Sequence, residues 1–128
     1  KSKIKMQNFN SKFKSDLLQR CYQFSLNILS LIDKMPPNKR TAWIISDQLI
    51  RSASSIGANI TEGKAASSRL EFKKFYEIAL KSANEAKYWL NIIKDAKLAE
   101  NFYTDPLIQE VTELANMLAA GVIKLKNK

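Results

Sequence analysis

The side chains in this sequence that could do acid–base or nucleophilic chemistry are few, and their spacing does not suit it. There is no histidine in 128 residues, which removes the commonest general base and the commonest metal ligand together. Ser–His and Cys–His nucleophilic schemes therefore have no base within the chain. A single cysteine, Cys21, allows neither an intramolecular disulfide nor a cysteine-based zinc site. Its place on an apolar helical stripe marks it as a packing residue rather than a reactive thiol. The acids Glu71, Glu77, Glu85, Asp95, Glu110 and Glu113 recur at spacings that suit solvated helix faces, and there is no glycine-rich phosphate loop. No catalytic residue, cofactor or metal site is expected, and the chain is not expected to be an enzyme.

Charge offers a different chemistry. The formal net charge is +9, which points to an anionic partner. Residues 1 to 20 carry six Lys/Arg against one Asp, so more than half of the excess sits there. Candidate phosphate contacts are Lys3, Lys5, Lys12, Lys14 and Arg20, with Lys73, Lys74, Lys81, Lys87 and Lys94 further along. Lys74 and Lys81, like Lys87 and Lys94, are seven residues apart and share a helix face two turns apart. Lysines act on phosphates as point charges without reading bases, and no base-reading module is present. Tyr76, Tyr88 and Trp89 could stack on unpaired bases, although aromatics on a bundle helix more often serve the core or an interface.

Helices must position these residues. Hydrophobic content of 45% with three glycines and three prolines fits one ordered, helix-rich domain. Leu17, Cys21, Phe24, Ile28, Leu31 and Met35, flanked by Leu18, Tyr22, Leu29 and Ile32, predict a first helix from Phe13 to Lys34. Pro36 and Pro37 stop it, and Asn38 is the expected cap of a second helix running to Glu62, with Gly63 supplying its C-terminal freedom. Ser68 and Glu71 form a capping box for a third helix reaching Lys97, whose inward row includes Phe72, Phe75, Ala79, Ala83, Ala86, Leu90 and Ile93. Asp105 and Pro106 read as cap and first turn of a fourth, striped by Leu107, Val111, Leu114, Leu118, Val122 and Leu125. The expected fold is an all-α antiparallel up-down-up-down four-helix bundle over residues 13–128, preceded by a basic segment, 1–12. No apolar run is long enough for a membrane span and KSKIKMQNFNSKFK lacks a signal-peptide core, so a cytoplasmic protein without membrane contact is expected.

The stretch RSASSIGANITEG, Arg51 to Gly63, lies inside the second helix, and nothing between Arg51 and Glu62 is charged. At about 100° per residue, Ala42, Ile45, Leu49, Ala53, Ile56 and Ile60 form one apolar sector. Beside it runs the polar row Gln48, Ser52, Ser55, Asn59 and Glu62, and the remaining side carries Trp43, Asp47, Ile50, Ser54, Gly57 and Thr61. A helix so bare of charge is expected to be covered on more than one side, by its own bundle and by another subunit; the alternative is that it is central in a bundle whose neighbours wrap it.

These residues also carry a resemblance. Gln48–Leu49, Arg51–Ser52–Ala53, Ser55–Ile56, Asn59–Ile60 and Glu62–Gly63, then Glu71–Phe72, Phe75, Ala79, Ser82 and Glu85, resemble the signature of the four-helix-bundle proteins encoded by 23S rRNA intervening sequences, over roughly residues 15 to 125. The resemblance implies a ring-like homopentamer. It also implies kinship with accessory variability proteins of diversity-generating retroelements, which bind nucleic acid and a reverse transcriptase. It supplies no activity. Gln48, Arg51, Ser52, Ser55, Asn59, Glu62 and Gly63 are accordingly expected to be structural or interface residues. The expected function is non-catalytic nucleic-acid binding by an oligomer, RNA or RNA/DNA held through lysine–phosphate contacts; the alternative is a scaffold for a protein partner such as a polymerase.

Overall fold

The computed structural model describes residues 16–126, which form four helices: α1 (Asp16–Asp33), α2 (Arg40–Lys64), α3 (Arg69–Asp95) and α4 (Asn101–Lys126). Strands are absent among the described residues, and the helix packing is that of a bundle. The expected start of the first helix at Phe13 lies outside the described residues. Most of each predicted stripe is core, although Ile45, Phe72, Phe75 and Leu125 are only half-buried: Cys21, Phe24, Ile28 and Leu31 from α1, Leu49, Ile56 and Ile60 from α2, Leu90 and Ile93 from α3, and Val111, Leu114 and Leu118 from α4 are almost wholly buried. Each large aliphatic side chain so buried contributes about 1.5–3 kcal/mol. The second row of α1 divides. Leu18 is buried, but Tyr22 and Leu29 are exposed.

Helix ends correct three expectations. Asn38 does not cap α2; the capping position is Lys39, which makes no side-chain cap bond. Gly63 does not end α2 by backbone freedom either, since no glycine has positive φ. It is buried within the helix because a Cβ there would stand 3.2 Å from Phe72 and from Phe75 of α3, so its missing side chain lets two helices close on each other. The α3 cap follows the sequence more closely. Ser68 Oγ accepts from the Glu71 amide at 3.1 Å, while Glu71 Oε1 accepts from the Ser67 amide rather than from that of Ser68.

Helix α4 starts at Asn101, ahead of the expected Asp105–Pro106 cap. The turn before it explains the difference: Lys97 adopts φ 58°, its amide donates to Lys94 O, and the Leu98 amide donates to Ile93 O at 2.9 Å. This is a Schellman closure with lysine in the place glycine usually takes, locked by buried Leu98. With the turn already finished, Glu100 O receives the Tyr103 and Thr104 amides, and Pro106 is carried inside the helix. Asp105 accepts from Lys94 Nζ at 2.7 Å instead of capping.

Contacts between helices define two ends. At one, Gly63 meets Phe72 and Phe75, Arg69 Nη2 donates to Leu125 O, and Cys21 lies under Gly57, whose absent Cβ would sit 3.3 Å from Cys21 Cβ. At the other, Met35 meets Ser46, Lys34 lies 5.1 Å over the Tyr103 ring, and Lys94 pairs with Asp105.

Candidate nucleic-acid interface

The bundle sorts the sequence-predicted cations into unlike places. Lys3, Lys5, Lys12 and Lys14 lie outside the described residues. Arg20 does not fit the role of a phosphate contact: its Nε and Nη2 fork onto Glu110 at 2.9 and 2.7 Å, Nη2 also reaches Glu113 at 2.7 Å, and Nη1 donates to Met117 Sδ. Those carboxylates hold the guanidinium charged well above its ordinary range, and the charge closes α1 onto α4. Lys94 is spent in the same way on Asp105. Lys73 and Lys87 are half-buried, whereas Lys74 and Lys81 are exposed.

Position along the bundle separates them further. The end where Gly63 meets Phe72 holds Lys64, Arg69, Lys73, Lys74, Lys81, Lys124 and Lys126 against Asp16, Glu62, Glu71 and Glu77. Arg20, beside Cys21, is occupied by Glu110 and Glu113, and at the other end Lys94 is paired with Asp105. Among the described residues Lys74, Lys81 and Lys126 thus share one groove while Lys94 is paired elsewhere, and the seven-residue lysine pairs on α3 are set apart.

On the basic end, α3 and α4 leave an open trough of about 440 Å³ lined by Lys74, Glu77, Ile78, Leu80, Lys81, Val122 and Lys126. Val122 is buried beneath it, and Ile78 is 38% exposed at its wall. Lys126 was missed in the sequence reading; the lysines Lys124 and Lys126 closing the last helix were the available signal. The aromatics weighed for stacking are mostly packed. Tyr76 lies against Phe72, ring centroids 4.9 Å apart, with burial raising its phenol above the ordinary value. Trp89 donates to Glu85. Only Tyr88, edge-on to Trp89, is 59% exposed.

The polar row of α2 turns to its own chain. Ser55 and Ser82 share a 2.9 Å hydrogen bond across α2 and α3, Asn59 Nδ2 donates to Ser55 O and Oγ at 2.8 Å, and buried Ser52 returns its hydroxyl to Gln48 O and Leu49 O. Arg51 is exposed beside Asp47, and Glu62 is exposed. Gly57, read as part of the bare outer side, faces Cys21 within the chain. Burial lifts the Cys21 thiol to about 12, which keeps it an unreactive packing group. The exposed apolar surface lies elsewhere, between α1 and α2. Leu26 and Leu29 of α1 are exposed, as are Ile44 and Trp43 of α2, the last 62% exposed, and Leu29, Ile32, Trp43, Ile44 and Ile50 line a trough of about 570 Å³ with Asp47 and Gln48.

Among the described residues no cluster of His, Cys, Asp or Glu could hold a metal, and no helix is long and apolar enough to cross a membrane. A family model described as 23S rRNA-intervening sequence protein matches residues 14–120. The fold is also similar to the crystal structure of a protein with unknown function from the S23 ribosomal protein family of Bacteroides thetaiotaomicron VPI-5482. The two share 30% sequence identity over 83% of this chain and 97% of that one, with a TM-score of 0.76. No curated protein matches.

Proposed function

The chain belongs to the 23S rRNA-intervening sequence protein family, and from that premise we propose that it is a non-catalytic, cytoplasmic nucleic-acid-binding protein working as a ring-like homopentamer of antiparallel up-down-up-down bundles. The observation that carries the reading is the grouping of Lys74, Lys81 and Lys126 around one trough, while Lys94 is neutralised by Asp105. A ring would repeat that basic end around its axis. Phosphates bound there displace condensed counterions, so affinity depends on how many lysines each strand meets. The apolar strip of Leu26, Leu29, Trp43 and Ile44 supports the assembly: contiguous exposed apolar surface of this kind marks a contact between proteins.

Binding of a labelled RNA across a salt series tests the mechanism. The logarithm of the binding constant falls linearly with the logarithm of salt, at about 0.7 per phosphate neutralised on a single strand. Replacing Lys74, Lys81 and Lys126 together by glutamine lowers that slope, as does deleting residues 1–12, whereas replacing Lys87 and Lys94 leaves it nearly unchanged. Equal losses from the two sets of replacements overturn the assignment to one end. Tight binding that ignores salt overturns the phosphate mechanism itself.

A further inference from the structure

The trough between α3 and α4 has a composition that bare phosphate binding does not explain. Its lysines would take any anion, but its apolar lining is Ile78, Leu80 and Val122, and one of its lining groups is the Glu77 carboxylate. We infer that it seats an unpaired base of a single-stranded nucleic acid, with the flanking phosphates on Lys74, Lys81 and Lys126. The inference rests on the nucleic-acid reading above and specifies the form of the ligand.

Three features lead to that occupant. Seven helical residues span about 10.5 Å, so Lys74 and Lys81 face separate phosphates of a strand laid along α3, and Lys126 meets it from α4. The volume of about 440 Å³ admits a flat heterocycle, whose faces gain from leaving water against the aliphatic lining. A duplex offers this lining nothing, because its bases are stacked inside and its outer surface is phosphate and sugar. Glu77 narrows what can sit between the lysines: its carboxylate repels phosphate and acidic side chains alike, so the group against it must be a neutral hydrogen-bond donor. The carboxylate accepts instead from the N–H donors on the pairing edge of a base, which are free only when the base is unpaired.

Fluorescence anisotropy on the full chain tests this with a short labelled RNA strand of mixed sequence and the duplex formed with its complement, each measured at several salt concentrations. The single strand should bind at least tenfold more tightly than the duplex. Ile78→Ser, at a partly exposed position, and Glu77→Gln, which removes only the charge, should each cut single-strand affinity several-fold more than duplex affinity. Neither should alter the salt slope as the triple lysine replacement does. Equal affinities for strand and duplex, or a preference untouched by both variants, overturn the trough as a base seat while salt-dependent binding still upholds the broader function. An acidic peptide that competes as well as RNA at equal charge overturns it too. Absence of salt-dependent binding in the unmodified protein removes both readings.

Discussion

Arg20 holds two carboxylates of α4 with one guanidinium, and this fork ties part of the bundle's stability to pH. Hydrogen bonds from Arg20 and then Gln109 hold the Glu113 carboxyl below its ordinary value of 4.5. The folded chain therefore binds that proton less readily than the unfolded one. Its stabilising contribution is fully present above 4.5 and is lost as pH falls through the lower folded value. Arg20→Leu should cost about 1 kcal/mol at neutral pH through the lost fork on Glu110, and should flatten the fall in Tm below pH 4.5 measured by circular dichroism. The same acid slope in both proteins would show that other carboxylates carry it. The sequence could not disclose this role, because Glu110 lies 90 residues away and Arg20 follows a run of lysines that it resembles in type alone. Cys21 was legible for the opposite reason. Its environment is set by a local stripe of Leu17, Phe24 and Ile28, which periodicity reveals.

Helices α2 and α3 meet through small residues: Ser52, Ala53, Ser55 and Gly63 on one side, Ala79, Ser82, Ala83 and Ala86 on the other. Most of these are buried, and the Ser55–Ser82 hydrogen bond crosses between them. Such a seam gains its stability from close approach, so added volume is harmful even when apolar. Ala83→Leu should lower stability by about 1–3 kcal/mol, read as a lower urea midpoint, despite leucine's greater hydrophobicity. An unchanged midpoint would mean that the seam has slack. The absence of charge in RSASSIGANITEG, expected from sequence to reflect cover by the helix's own bundle and by a second subunit, is explained in large part by this contact within the chain. A helical wheel shows that a side is covered but not by what. The α3 cap was legible because Ser68 and Glu71 are neighbours; the start of α4 was not, because it depends on Lys97 taking a backbone conformation that its residue type does not advertise.

At the scale of the whole molecule, the apolar strip on α1 and α2 and the basic trough on α3 and α4 occupy different helix pairs, so assembly need not bury the nucleic-acid end. Light scattering at micromolar concentration should give a mass near five times 14.6 kDa, and Trp43→Lys should reduce it, since a charge buried unpaired at a contact costs several kcal/mol. A mass of one chain for the unmodified protein would refute the ring. Gly57→Lys is a poor probe of assembly, because its side chain would press on Cys21 inside the bundle. That same burial gives the chain a clock. Cys21 is its single thiol, shut beneath Gly57, so an alkylating reagent reaches the sulfur only when α1 parts from α2. The rate of modification counts those openings, and it leaves the exterior silent enough for one introduced cysteine, at exposed Ser54 for instance, to be labelled alone.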